Sequence, residues 1–497
     1  MCSISGVILL DSPRRHKETL LEIEEKVKDI VCASEERGRD SWGVVSLGPD
    51  GEVASMKGLG KASAGDWKTG YLTNSTVCVL ANCRAEPTTE YVQHKNEIDI
   101  QPFSDSKETV WVAHNGTIAN DATLREEVHI EKPKSKIDTQ ALVEYLASCE
   151  KPNIETLKHT FMCDVVGSFA IGMYDVRKPK NVTLIANYKP LYTLFSPEHR
   201  CVYFSSFPEY LDPLLDDPMA LRILQVGPYE IQTFSTDGSF QRQSLYEEKA
   251  SDQERVAVIC SGGLDSTVVA TKYVREGKDV TLVHFTYKCR AESKEVQAIK
   301  EIAARLNCKT LFVDVGDLFK EVIGHSRLTG TGESLVTERG GEASAELAWE
   351  WVPARNLIFY SLTTGIAEAH GFDIIALGNN LEESSAYPDN EAIFTRQFAS
   401  CLPYAVNLGN RVRVEMPVGN LMKHEIVKLG LELNAPLDLA WSCYENHEKP
   451  CNQCGPCYMR RVAFKMCGVK DPYEYEIPTE EGFWDDCVPY SSVVRRA

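Results

Sequence analysis

Long apolar runs are missing: no uninterrupted stretch approaches the ~18–20 residues of a membrane-spanning helix. Positive charge is scarce too. Lys plus Arg number 53 against 72 Asp plus Glu, a formal charge of −19. Tight nonspecific binding to nucleic acid or an anionic membrane needs the opposite sign, although a net charge does not exclude a local basic pocket. No repeat occurs at the ~20–50-residue periods of solenoids and propellers. The opening residues Met1–Gly6 contain no basic stretch leading into an apolar one. These absences point to a cytoplasmic protein with no membrane partner. Apolar residues at 43% and charged residues at 25% exclude a disordered chain.

Cysteine, by contrast, is abundant, with 17 in the chain. Without a secretory leader these are expected to be reduced thiols, metal ligands or catalytic groups rather than a disulfide framework. Their positions sort them. Cys443, Cys451, Cys454 and Cys457 crowd into fifteen residues as C-x7-C-x2-C-x2-C. Two CxxC steps sharing a cysteine wrap readily around one tetrahedral Zn²⁺, and four thiolates close the site, which makes it structural. An iron–sulfur cluster is the alternative, and His447 is a substitute ligand. Cys2 stands alone at the start. The other twelve are scattered and read mostly as small buried hydrophobes.

A length of 497 residues predicts two to four domains. From Ser235 to Arg255 the chain is polar and loses apolar periodicity, so residues 236–254 are expected to be a linker. Before it, short apolar stretches at 109–113, 168–174, 182–186 and 202–204 read as strands, with helices at 17–33 and 139–148. Residues 2–235 therefore form an α+β domain. After the linker, strands at 256–260, 280–285, 309–313 and 373–377 alternate with helices at 266–276, 292–306 and 353–370. That alternation predicts βαβ units and a parallel sheet over residues 255–475, with 476–497 a tail. Thr329–Ser344, rich in Gly, Ser, Thr and Glu, reads as a surface loop or as a lid.

Ser261-Gly262-Gly263-Leu264-Asp265-Ser266 follows an apolar strand and opens a helix. Glycines let backbone N–H groups approach phosphate oxygens, and the helix N-terminus adds its dipole. No Gly-Lys-Ser/Thr follows, so this is not a Walker loop. It resembles the pyrophosphate loop of N-type ATP pyrophosphatases. The resemblance implies that Ser261, Gly262, Gly263, Asp265 and Ser266 hold the β,γ-phosphates of ATP, with Asp265 placing Mg²⁺. Lys423 reads either as a solvated helix lysine or as a phosphate ligand.

If Met1 is removed, Cys2 gains a free α-amine able to act as base for its own thiol. An ordered set of short motifs accompanies it: Cys2–Gly6, Arg37–Gly43, Asn82-Cys83-Arg84, Gln101-Pro102-Phe103, His114–Ile118, Asp138, Gly167–Ala170 and Lys189–Tyr192. The set resembles class II, N-terminal-nucleophile glutamine amidotransferases over residues 2–235, a fold of stacked β-sheets with helices. The resemblance implies that Cys2 attacks the glutamine side-chain amide. Asn115 and the Gly116 N–H would stabilise the oxyanion. Arg84 would grip the glutamine α-carboxylate, and Asp138 its α-ammonium. His114 reads as structural, because the α-amine already supplies a base.

Val352–Asn356, Leu377–Asn380, Tyr387-Pro388-Asp389 and Trp441–Tyr444 running into the cysteine cluster and Arg460-Arg461 resemble 7-cyano-7-deazaguanine synthase, QueC. Asparagine synthetase, a third candidate, has no such cluster. The fused order resembles the Gat-QueC proteins of archaeosine formation. That resemblance implies glutamine-derived ammonia converting the nitrile of 7-cyano-7-deazaguanine into a formamidine, on a free base or within tRNA or DNA. The alternative is the synthase reaction, in which ATP drives 7-carboxy-7-deazaguanine to the nitrile. Arg355 and Asn356 would contact the base or ATP. Cys289 stands where the synthase pattern has Gln; it reads as a packing thiol or as a nucleophile forming a thioimide. Self-association is left open.

Overall fold

The computed structural model describes residues 2–494 apart from 13, 50, 86–95, 131–132, 151–152, 217–221, 246–252, 324–325, 327, 330–350, 385–386 and 407–411. It divides into two compact units, Met1–Glu248 and Lys249–Ala497.

Two-residue alternation builds the N-terminal unit. In the strand Cys2–Leu9, Ile4 and Ile8 face one apolar core and Val7 and Leu9 another. This strand lies inside a seven-stranded sheet, antiparallel to Cys78–Arg84 on one side and Cys201–Ser205 on the other. A six-stranded sheet contains the paired strands Val110–Ile118 and Gly167–Asp175. Its Trp111, Ala113, Ala170 and Tyr174 meet Ile4, Ile8 and Leu80, so the two sheets stack face to face. Helix Lys17–Ser34 places Leu20, Ile23, Val27 and Ile30, three or four residues apart, on the outer face of the first sheet. Helix Asp138–Ser148 covers the second sheet with Ala141, Leu142 and Leu146. The helix–sheet–sheet–helix layering matches the stacked-sheet expectation.

The expected linker is partly structured. Strand Phe240–Ser244 pairs with Glu230–Ser235 through a turn at Asp237-Gly238, where Gly238 adopts φ 88°. The Asp-Gly turn signal is present in the sequence. The strand after it is mostly exposed and therefore carries no apolar alternation.

The C-terminal unit is a parallel sheet. Its five strands run in the order Lys309–Asp314, Asp279–Thr286, Arg255–Ile259, Ile374–Ala376, Arg413–Glu415. Helices Leu264–Arg275, Glu292–Leu306 and Arg355–His370 fall within two residues of the expected spans. Val256 and Val258 pack towards the first two helices, and Ala257 packs towards the third. The stretch after 475 is not a trailing tail. Val488–Pro489 pairs with Val469–Lys470, and the Tyr490 hydroxyl donates to the Ala435 carbonyl at 3.2 Å. Of the loop Thr329–Ser344, residues 330–344 lie outside the described residues. No helix among the described residues is long and apolar enough to cross a membrane.

Arg460 and Arg461 are not a surface patch, for both are buried. The Arg460 guanidinium forks onto Asp471 at 3.0–3.2 Å and donates to the carbonyls of Ala440 and Leu437. With side-chain exposures of 1% and 0%, neither charge tolerates losing the other. Asp471→Ala is expected to cost about 3–5 kcal/mol, read as an earlier urea transition of the full chain.

Candidate active sites

Strand register assembles the first site. Cys2 and Arg84 are direct partners on adjacent strands, and both are buried. Asn115 and Gly116 lie on the facing sheet, in Val110–Ile118. The Asn82 amide donates to the His114 carbonyl at 3.1 Å, tying the two sheets together beside them. Gly116 has φ 151°, and a Cβ there would sit 1.8 Å from the Ser168 carbonyl oxygen, so only glycine fits. The Asn115 amide donates to Ser206 Oγ at 3.3 Å, and the same oxygen accepts from the Ile4 N–H at 2.9 Å. Ser206 thus aims the amide. It carries no sequence signal, because it is one of two consecutive serines at the end of a strand.

Asp138 opens helix Asp138–Ser148, and its carboxylate accepts the N–H groups of Ile118 and Thr139, both at 2.7 Å. His114 bridges the Thr139 hydroxyl at 2.9 Å and the Ser168 carbonyl at 3.2 Å. Burial lowers its pKa, and the carbonyl fixes the proton on Nε2. Both ring nitrogens are therefore engaged, in keeping with a structural His114.

The second site forms at the C-terminal ends of the parallel strands. Gly262 takes φ 76°, which brings the loop 261–263 beside helix Glu292–Leu306; a Cβ at 262 would lie 3.0 Å from the Glu295 carbonyl oxygen. The helix N-terminus beyond it presents its dipole to the same space. Ser261, Gly263, Asp265, Ser266, Cys289, Arg355 and Asn356 line one cavity. Gly262 shapes the loop beneath it.

Lys423 also reaches this cavity, so the solvated-lysine reading does not hold. Its ammonium meets Asp265 Oδ2 at 2.6 Å and Glu383 Oε1 at 2.8 Å. Burial opposes the charge, but the two carboxylates outweigh it and raise the Lys423 pKa. Asn380 donates to the same Asp265 oxygen at 3.3 Å. The other Asp265 oxygen, Oδ1, is buried and has no hydrogen-bond partner among the described residues. A hard cation would fit such an oxygen.

Cys289 Sγ lies 3.6 Å from Glu295 Oε2. Burial pushes the thiol pKa up, and pushes Glu295 up to about 7. Asn356 is turned towards the cavity rim, where its amide donates to Asn390 Oδ1 at 3.0 Å. Glu295 and Glu383 escape sequence reading because acidic residues on helices are ordinarily solvated; only the fold turns these two inward.

The sulfurs of Cys443, Cys451, Cys454 and Cys457 lie within 4.8 Å of one another, all buried. Tetrahedral zinc with bonds of about 2.3 Å needs sulfurs about 3.8 Å apart, and Cys443 and Cys454 stand at 4.0 Å. Backbone N–H groups of Glu445 and Cys451 point at Cys443 Sγ, and those of Gln453 and Cys454 at Cys451 Sγ, all at 3.4 Å. Such donors suit thiolates. His447 is not among the ligands; its ring pairs with Glu476 at 2.5 Å.

Residues 255–468 match the family described as queuosine biosynthesis protein QueC, and residues 89–213 match a glutamine amidotransferase domain. A protein of Sulfolobus acidocaldarius named 7-cyano-7-deazaguanine synthase is 45% identical over 478 residues, covering 96% of this chain and 100% of its own length. One of Sulfurisphaera tokodaii, named 7-cyano-7-deazaguanine synthase 2, is 44% identical over 477 residues, again 96% of this chain and all of its own. A third, from Methanothrix thermoacetophila and also named 7-cyano-7-deazaguanine synthase, is 40% identical over 226 residues, 45% of this chain and 99% of its own length. The parallel-sheet unit with its loop and cysteine cluster, preceded by the stacked-sheet unit, thus places the chain in the 7-cyano-7-deazaguanine synthase (QueC) family, in a form that carries its own glutamine amidotransferase domain.

Proposed function

We propose that the protein uses ammonia from glutamine to convert the nitrile of 7-cyano-7-deazaguanine, free or within tRNA or DNA, into a formamidine. The observation that carries this reading is Cys289, a thiol in the loop cavity set 3.6 Å from the carboxyl of Glu295.

In the N-terminal unit, Cys2 bearing a free α-amine gives its thiol proton to that amine, and sulfur bonds to the glutamine amide carbon. Arg84 holds the α-carboxylate and Asp138 the α-ammonium. Asn115, aimed by Ser206, and the Gly116 N–H meet the oxyanion. The C–N bond breaks, ammonia leaves with the proton, and water cleaves the thioester to glutamate. In the C-terminal unit, Cys289 sulfur adds to the nitrile carbon. Its proton passes through Glu295 to the nitrile nitrogen, giving a thioimidate. Ammonia then bonds to that carbon, the C–S bond breaks, and the thiol recovers a proton. Arg355 and Asn356 border the base. Asp265 would hold Mg²⁺, which draws charge from the β,γ-phosphates of ATP in the loop 261–266. We assign Zn²⁺ to the four cysteines.

The synthase reading, from 7-carboxy-7-deazaguanine to the nitrile, has support in the names of the full-length relatives and in the arrangement of Asp265, Lys423 and Glu383. The two differ in ATP. Adding ammonia to a nitrile balances without nucleotide, whereas the synthase route consumes two ATP.

Product mass spectrometry with glutamine, Mg-ATP and each base separates them. The nitrile should gain the mass of ammonia without stoichiometric AMP, and Cys289→Ser should abolish the gain. Conversion of the carboxylate with AMP release, undiminished in Cys289→Ser, would refute the amidine reading. If only glutamine is hydrolysed, nitrile-bearing tRNA and DNA are the next substrates.

Three further outcomes are expected. Glu295 accepts the thiol proton only when ionised, and its pKa is raised to about 7. Covalent loading of Cys289 by the nitrile, followed by intact mass, should therefore be about tenfold slower at pH 6 than at pH 8. Ser206→Ala should lower the glutaminase kcat about tenfold with little change in KM, because Arg84 and Asp138 are untouched. Elemental analysis should find one zinc per chain. Cys451→Ser with Cys454→Ser should lose it and lower the Tm of the C-terminal unit.

A further inference from the structure

His284 lies in the strand Asp279–Thr286, lines the cavity of the glycine loop and is 2% exposed. Its Nδ1 is 2.9 Å from the carbonyl oxygen of Cys260, the residue before the loop. A carbonyl only accepts, so the ring proton sits on Nδ1 and Nε2 presents a lone pair. Burial lowers the His284 pKa, which keeps the ring neutral and that lone pair free of a second proton. Nε2 is buried and has no partner among the described residues. An unpaired acceptor in that position is costly and calls for a donor.

Strand alternation says which ligand brings it. Val280 and Leu282, four and two residues before His284, pack in the core beneath the loop helix Leu264–Arg275. Phe285, Tyr287 and Cys289 belong to the core on the other face, with Phe359. His284 is therefore on the face of the sheet that carries the loop helix, whereas Phe285 points to the other face. We infer that His284 Nε2 accepts a hydrogen bond from the exocyclic 6-amino group of the bound ATP and so selects adenine. A 6-oxo purine would set a lone pair against a lone pair. This inference rests on the loop binding ATP, as in both readings above.

The test is calorimetric binding of Mg-ATP, Mg-GTP and the Mg complex of purine riboside 5′-triphosphate, which lacks only the 6-amino group, to the full chain. The wild type should favour ATP over the purine riboside analogue by about tenfold, and GTP should bind more weakly still. His284→Leu should bring ATP and the analogue within about twofold of each other, and His284→Gln, which keeps an acceptor, should restore part of the preference. Equal binding of ATP and the analogue by the wild type, a comparison that needs no variant, would overturn the assignment while leaving ATP binding intact. So would a preference that survives in His284→Leu, including the case in which that variant loses only binding of the deazaguanine base. Failure of any nucleotide to bind the wild type would overturn the ATP reading and this inference together.

Discussion

Buried charge must be compensated, and the C-terminal unit is organised around that constraint. Lys423 is held between Asp265 and Glu383, with Asn380 on the same Asp265 oxygen. In a cavity of low polarisability any one of these groups alone would be expelled or neutralised. Together they fix four segments of chain: the loop helix, the turn after Ile374–Ala376, the short helix Leu381–Ser384 and the helix Lys423–Glu432. The loop aspartate is thus already aimed, with one oxygen unpaired among the described residues. Arg460 and Asp471 follow the same logic beside the cysteine cluster, where their pairing keeps the helix Gly455–Met466 and its Cys457 in place.

The N-terminal unit relies on geometry instead. Antiparallel register sets Cys2 opposite Arg84, and sheet stacking brings the Asn115 strand over them. Hydrogen bonds that cross between the sheets, from Asn82 to His114 and from Asn115 to Ser206, hold the facing strands at a fixed distance. Cys2 and Arg84 of the candidate site stand at the ends of strands whose positions are set by cores further in. A site placed this way is sensitive to shifts in the packing behind it as well as to its own polar residues.

Cysteine shows how environment divides one side chain among several chemistries. Cys78 and Cys83 are wholly enclosed, and burial raises their thiol pKa values, which leaves them as inert packing groups. The four clustered thiols converge with N–H donors at their backs, the surroundings of a metal ligand. Cys289 is buried as well, and burial raises its thiol pKa, but it has a carboxyl neighbour at 3.6 Å and opens on a cavity. That difference in surroundings, rather than the residue type, sets Cys289 apart from the enclosed thiols.

The sequence by itself determined the class of each unit, part of its secondary structure and the motifs that carry chemistry. Apolar periodicity, the Ser261–Ser266 loop and the C-x7-C-x2-C-x2-C spacing are local, and local patterns are written in consecutive residues. It missed the hairpin to Ser244, whose exposed strand lacks alternation, and the docking of the last residues through Tyr490. Only the tertiary structure decided which groups meet. Glu295 faces Cys289, Glu383 meets Lys423, Ser206 aims Asn115, and His284 beside the loop keeps a nitrogen unpaired among the described residues. Lys423 and Asp265 are 158 positions apart, and no spacing rule spans that interval. Their meeting is fixed by how sheet and helices pack, and packing depends on the summed burial of the core rather than on the residues that perform the chemistry.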